Sequence, residues 1–290
     1  MLEAKVLGKK VAHPDKYDPS VLVAIPRELN RSIYDIDSNS LPFIGFDAWH
    51  AYEVSFLTDK GMPVVGVMKF VVSSDSACLV ESKSLKLYLN SFNMSSFGST
   101  VKDAIDHVEL LITKDLSELL QTSVSVAIRT KNIYHASPFS DYDKLESFIE
   151  IDDLKIHDYS ENVSLLEVVP NVLHEEIRWC SDLLRSNCKV TFQPDWGSIY
   201  IHIEGDHIVT PESLLAYIVS MRNETHFHEE ICELVFVRLQ RLLNPKKLMV
   251  GCVYTRRGGI DICPFRSNGL GDLPSVYSNS KRLVQKTMRQ

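Results

Sequence analysis

Apolar and polar positions along the chain follow the same layout twice. Pro63 to Val72 concentrates Val64, Val65, Val67, Phe70, Val71 and Val72, which predicts a strand. From Glu81 the period changes: Leu85, Tyr88, Leu89 and Phe92 recur at i, i+3, i+4 and i+7, the face of a helix. A second helix follows, with Val101, Ala104, Ile105, Val108, Leu111 and Ile112 along one side, and Val124 to Ile128 predicts a closing strand. In the second half, Ser198 to Ile203 alternates cleanly, Ile199, Ile201 and Ile203 opposing Ser198, Tyr200 and His202. Pro211 and Glu212 open a helix carrying Leu214, Leu215, Ile218 and Met221, and another places Phe227, Ile231, Leu234, Val235 and Leu242 together. Leu248 to Thr255 and Ile260 to Cys263 read as a hairpin across Arg256-Arg257-Gly258-Gly259, where glycine can supply positive φ.

Each half therefore has the order ββααβ(β). Antiparallel strands with two helices between them predict an α+β fold, each module a sheet with its helices on one face. Tyr88-Leu89-Asn90-Ser91 and Tyr217-Ile218-Val219-Ser220 occupy matching places, which supports a tandem repeat. The expected domains are 1–130 and 171–290, joined by an acidic connector over 131–170 (Asp141, Asp143, Glu146, Glu150, Asp152, Asp153) that reads as solvated with short structured pieces. Met1 to Leu29 and Gly269 to Gln290 read as surface extensions. Lys281, Arg282, Lys286 and Arg289 read as a solvated end.

Composition narrows the classes. The chain has 290 residues, in the range of about two domains. Its net charge of −7 argues against a non-specific nucleic-acid binder, which needs a basic surplus. No run approaches the roughly 18 apolar residues of a membrane span, and Met1 to Lys10 has no apolar core of a signal peptide. A cytoplasmic protein is expected. Its cysteines, Cys78, Cys180, Cys188, Cys232, Cys252 and Cys263, form no C-x-x-C pair and are expected as reduced thiols, mostly in the core.

Four clusters could carry chemistry. Glu81-Ser82-Lys83-Ser84-Leu85-Lys86-Leu87-Tyr88 sits at a strand-to-helix junction. A cap by Ser82 or Ser84 explains a serine and an acid there, but not two lysines in turns where the helix dipole disfavours cations. An anionic ligand such as a phosphate would suit them. Cys188 lies in a polar stretch before a strand, beside Lys189, which could lower a thiol pKa from about 8.5. Asp195 lies between Pro194 and Trp196, where an aromatic wall would raise its pKa and keep it protonated as a general acid. The plainer reading is a buried thiol and a turn aspartate. His226 and His228, at i and i+2, do not share a helix face, so no metal is expected, although His228 and Glu229 could both face a cleft. Arg256-Arg257-Gly258-Gly259 is either an exposed turn or a bidentate phosphate site. No Gly-x-Gly-x-x-Gly run after a strand and no Walker loop occurs, so neither familiar nucleotide device is present.

Taken together, Glu81 to Phe92, Asn187-Cys188 with Gln193-Pro194-Asp195-Trp196-Gly197-Ser198, Phe227-His228-Glu229, and Tyr254-Thr255-Arg256-Arg257-Gly258-Gly259 resemble the NADPH-dependent 7-cyano-7-deazaguanine reductases. This is the QueF family of nitrile reductases in queuosine biosynthesis, a tRNA modification pathway, in its long tandem form. The resemblance runs from about residue 30 to about residue 270. It implies tunnelling-fold (T-fold) modules, a homodimer or larger homo-oligomer, no direct contact with nucleic acid, and reduction of 7-cyano-7-deazaguanine to the 7-aminomethyl product with two NADPH. By the same resemblance Cys188 is the nucleophile that forms a thioimide, Asp195 the general acid and His228 a pocket residue near the reacting group. Glu81, Glu229 and the backbone at Leu79 and Val80 would recognise the base, and Ser82, Lys83, Arg257 and Gly258 would contact NADPH. Phe192, His226 and Cys263 depart from the family pattern. Competing readings are a zinc-dependent pterin enzyme resembling GTP cyclohydrolase I, a non-catalytic T-fold module that binds a purine, and a cysteine nitrilase.

Overall fold

The structure is a computed structural model that describes residues 16–131, 133–287 and 290; Met1 to Lys10 and Arg289, both read above, lie outside them. The first half contains β1 (Ala24–Pro26), α1 (Glu28–Arg31), β2 (Ile44–Leu57), β3 (Pro63–Ser73), β4 (Cys78–Val80), α2 (Ser82–Asn90), α3 (Val101–Leu120) and β5 (Val124–Arg129). Short strands β6 (Tyr134–His135), β7 (Asp143–Lys144) and β8 (Val168–Pro170) punctuate the connector. The second half contains β9 (Ile177–Cys188), β10 (Pro194–Glu204), β11 (His207–Val209), α4 (Pro211–Ser220), β12 (Thr225–His226), α5 (His228–Leu243), β13 (Lys247–Tyr254) and β14 (Ile260–Ser267), and α6 (Ser275–Ser278) and β15 (Leu283–Val284) follow. The α+β class and the repeated order are as the pattern predicts.

The halves do not form separate sheets. Their strands join in the order β12-β9-β10-β13-β14-β2-β3-β5, with β7 also on β9. The antiparallel pairing of β14 with β2, from Ile260↔Ala51 to Ser267↔Ile44, is the seam between them. On the helical side, α2 and α3 cover β2, β3 and β5 (Trp49, Phe70, Leu85, Tyr88, Val108 and Ile112 are buried there), and α4 and α5 cover the second-half strands. The opposite face carries a third core shared by both halves, with Phe46, Phe139, Tyr200, Phe265 and Tyr277 at its centre. β2 is therefore covered on both faces, which removes the polar–apolar alternation that would have marked it in the sequence.

Three expectations change. The connector is more than a solvated link: Leu145 is buried and Phe139 stacks on Tyr200 at 3.9 Å. The termini are more than surface extensions, because Arg27 is buried in the first and Val276, Tyr277, Leu283 and Val284 in the last. Lys286 is not simply a solvated charge, since its ammonium lies 2.9 Å from the buried Asp261 carboxylate.

Beside the seam, on the helical side, Arg27, Arg31 and Arg266 enclose the carboxylates of Asp47 and Glu233, all nearly solvent-free. Arg266 meets Asp47 and Glu233 at 2.8 Å each, and Arg31 meets Glu233 at 2.8 Å. Burial opposes the charge on Asp47, yet the guanidiniums of Arg266 and Arg27 outweigh it and hold that carboxyl below its usual range. Arg266→Met leaves two buried carboxylates short of their shared partner, a loss of about 3–5 kcal/mol. Urea unfolding should show the midpoint fall accordingly, with Arg266→Lys recovering only part of it.

Candidate active site

Glu81 ends β4 and caps α2. Its carboxylate accepts hydrogen bonds from the backbone N–H of Lys83 (3.1 Å) and Ser84 (2.6 Å), satisfying donors that a helix start leaves open. The cap is thus Glu81 itself rather than Ser82 or Ser84, and the Ser84 hydroxyl instead donates to the Glu81 carbonyl at 2.7 Å. Leu79 and Val80 are held by pairing of β4 with β1. Ser82 is exposed and Lys83 half-buried at the helix start.

Across from them stands the β9–β10 hairpin. Cys188 is the last residue of β9 and precedes β10, which begins at Pro194. Its N–H donates to the Gln193 carbonyl at 2.8 Å and its carbonyl accepts from Phe192 at 2.9 Å. Phe192 makes the turn with φ of 57° and projects outward, 73% exposed. Lys189, next to the thiol in sequence, is committed elsewhere: its ammonium contacts Asn30 and lies 3.5 Å from Glu230. Asp195 enters from β10, opposite Ser186 in the register, and is 3% exposed.

The ionisation of Asp195 differs from expectation. Burial works to raise its pKa, but His228, with Nε2 3.4 Å from Oδ2, and Arg257, bonded to Oδ1, outweigh burial and hold the carboxyl below its usual range. Trp196 flanks Asp195 in sequence, but Arg257, approaching from the β13–β14 turn, supplies the positive charge that sets its ionisation. His228 stacks on Tyr254 with ring centroids 3.8 Å apart, and its Nδ1 is buried without a partner. Glu229 is 3% exposed, its Oε1 is likewise buried without a partner, and burial, with the Asp47 charge second, pushes its pKa up to about 8.

The Arg256–Gly259 turn completes the wall, with Gly258 and Gly259 at φ of 58° and 77°. Its arginines do not act as a pair: Arg257 reaches Asp195 and Gln193 (2.6 Å), whereas Arg256 lies over the Tyr52 ring at 4.3 Å. All eleven residues singled out in the sequence, Leu79 to Lys83, Cys188, Asp195, His228, Glu229, Arg257 and Gly258, line one cavity of about 330 Å³. Sequence reading missed Ile25, Trp49, Ile260 and Ile262, which add apolar surface to it. Trp49 lies on the strand whose pattern was hidden by burial on both faces, and no motif marked it. Lys86 and His226, noted in clusters but given no role, also line the cavity.

The cavity contains both phosphate-type donors (Lys83, Lys86 and Arg257) and buried unpartnered acceptor and ring-nitrogen atoms on Glu229 and His228. A heteroaromatic base with N–H donors and a phosphorylated cofactor both fit that donor set. Because the Glu229 pKa is raised from 4.5 to about 8, the folded chain keeps a proton that the unfolded chain releases between those values. Its contribution to stability is full below the unfolded pKa and fades as pH rises toward about 8. Urea unfolding across that window should show stability falling with pH, and Glu229→Gln should remove that part of the slope.

Comparison with known proteins agrees with this geometry. Residues 13–128 match the family described as "Nitrile reductase, 7-cyano-7-deazaguanine-reductase N-term", and residues 194–271 match "QueF-like protein". A protein of Rickettsia prowazekii (strain Madrid E) named "NADPH-dependent 7-cyano-7-deazaguanine reductase" is 40% identical over 288 residues, 98% of this chain and 99% of that one. The crystal structure of the archaeosine synthase QueF-Like in the apo form is 15% identical, covers 36% of this chain and 95% of its own, and has a TM-score of 0.29. With similarity along nearly its whole length, the chain belongs to the QueF family of 7-cyano-7-deazaguanine nitrile reductases.

Proposed function

We propose that this chain reduces the nitrile of 7-cyano-7-deazaguanine to the primary amine with NADPH, through a covalent bond to Cys188. The observation that carries this reading is the meeting of a cysteine, a buried aspartate, a histidine and an unpartnered buried glutamate in one cavity built by both halves. A nitrile carbon is a weak electrophile, so addition needs a thiolate at carbon and a proton at nitrogen together. The Cys188 sulfur forms a bond to carbon, one π pair of the C≡N bond moves to nitrogen, and Asp195 supplies the proton, giving a thioimide. NADPH, when bound, supplies the reducing equivalents, two molecules for each amine formed.

Asp195 must carry a proton at that moment, which its contacts with Arg257 and His228 oppose. An anionic group engaging Arg257 would withdraw one of those cationic partners, and burial would then favour the acid form. Ser82, Lys83, Arg257 and Gly258 serve as the cofactor contacts. Glu81 and Glu229 accept the N–H donors of the base, and its edge lies against Leu79 and Val80. Glu229 ionises as it gains those donors, since hydrogen bonds to the charged form favour it. His228, stacked on Tyr254, holds Asp195 in place and lies within reach of the proton it moves. The apolar residues of the cavity restrict water, which protects an imine from hydrolysis before it is reduced.

The module boundaries 1–130 and 171–290, with the connector 131–170 between them, a cytoplasmic location and assembly as a homodimer or larger oligomer complete the proposal. Nucleic acid is not a direct partner. NADPH oxidation on adding 7-cyano-7-deazaguanine tests the reading: two equivalents should be consumed for each amine formed. Cys188→Ala should abolish turnover while still binding the nitrile, and Asp195→Asn should lower kcat by about 10²–10⁴-fold. Binding without turnover or adduct in the unaltered chain would instead mark a non-catalytic purine-binding module.

A further inference from the structure

The sheet face away from the cavity holds a second group of reactive side chains at the seam. Asp261 on β14 stands directly across from His50 on β2, and Cys263 follows two residues later on the same face, opposite Ala48. His50 is 1% exposed and the other two 0%. Their ligand atoms all lie within 4.8 Å of one another, and none of the three lines the cavity described above. Cys263 is also one of the positions at which this chain departs from the family pattern. The nitrile reduction assigns it no role.

We propose that His50, Asp261 and Cys263 form a binding site for a thiophilic divalent cation of the zinc class, which pins the two halves together across their seam. A nitrogen, a carboxylate oxygen and a sulfur are among the ligand types that zinc takes. The Cys263 sulfur is already 3.7 Å from Asp261 Oδ1, close to the roughly 3.6 Å that tetrahedral bonds of ordinary zinc length would set. His50 Nδ1 is 2.6 Å from the same oxygen, bridged by a proton that the cation would replace. His50 Nε2 is buried without a partner, so hydrogen bonding within the protein leaves this imidazole incompletely satisfied.

Asp261 is oriented by its neighbours, and one cation already competes for it. Its other oxygen accepts from the Tyr52 hydroxyl at 2.8 Å, which orients the carboxylate as outer-shell partners of metal ligands do. The Lys286 ammonium occupies the same oxygen at 2.9 Å, so a cation already compensates this buried acid. Lys69, also on this face, is turned away from the acid and donates to the carbonyls of Val276 and Arg282 at 2.9 Å each. Binding costs the Cys263 thiol its proton, which a coordinating metal removes outright. No spacing rule reveals such a set, because His50 precedes Asp261 by 211 positions.

The probe is Co²⁺ added to metal-stripped full-length protein, with Zn²⁺ as competitor. The unaltered chain should develop a thiolate-to-cobalt charge-transfer band with tetrahedral visible bands, reversed by Zn²⁺ and unchanged in Cys188→Ala. Cys263→Ser should lose the charge-transfer band, and His50→Gln should weaken cobalt binding by at least about tenfold. Lys286→Ala, at a residue only partly buried, should bind cobalt more tightly because the competing ammonium is gone. Bands that persist in Cys263→Ser, bands lost in Cys188→Ala, or no bands in either the unaltered chain or Lys286→Ala would overturn the proposal. None of these readouts depends on nitrile reduction.

Discussion

The antiparallel pairing of β2 with β14 is the constraint on which the rest of the molecule depends. It makes one continuous sheet from strands of two modules and sets each residue of one half against a fixed residue of the other. The buried charges then add direction to that pairing. Asp47 and Arg266 come from opposite sides of the seam, Glu233 joins them from α5, and Arg27 and Arg31 bring in the segment before β2. Such a cluster is weak evidence for stability, since desolvation offsets much of its attraction. Its value is in register: a slip of one residue between β2 and β14 would turn Asp47 to the other face and strand the arginines.

The cavity lies over the same seam, and its electrostatics follow from it. Asp195 and Glu229 are both buried carboxyl groups, yet their pKa values are driven apart. One has an arginine and a histidine in contact; the other has an unpartnered oxygen and a neighbouring carboxylate. Divergent environments for nearby acids are how a site assigns different proton roles to the same chemical group. The three arginines of the cluster exceed Asp47 and Glu233 by one charge, so ionisation of Glu229 would bring that region to balance. A ligand that draws the proton from Glu229 is therefore met by a prearranged compensating field.

Much of this was legible in the sequence, and unevenly so. α3 was readable because it buries one face (Ala104, Val108, Ile112, Leu116 and Leu120), leaving a 3.6-residue period intact, whereas α4 and α5 are buried on most sides and their apolar positions still recur at helical spacing. β2 and β9 were implied by the repeated order but not located, β2 because both its faces are covered. The site motifs were legible as short runs, since Glu81, Cys188, Asp195 and His228-Glu229 each sit at an element end where a polar residue interrupts an apolar pattern. What the sequence hid were relations between runs. Neither the attachment of Arg257 to Asp195, nor that of Lys189 to Glu230, nor the contact of Lys286 with Asp261 follows from local chemistry. Each needs the tertiary approach of segments that are distant along the chain.

The distance spanned by the seam has a consequence during synthesis. Asp47 and Arg266 are 219 positions apart, so at ordinary translation speeds β2 waits roughly ten to forty seconds for its partner strand. Throughout that interval the first module presents a fourteen-residue strand with one open edge, the kind of template on which nascent chains pair wrongly. The residues that later seal the seam are suited to guard it first. Asp47 and His50 place polar side chains on either face of that edge, and the irregularity between Ala51 and Val54 breaks its flatness. In the nascent chain these features would discourage pairing with strangers until β14 arrives.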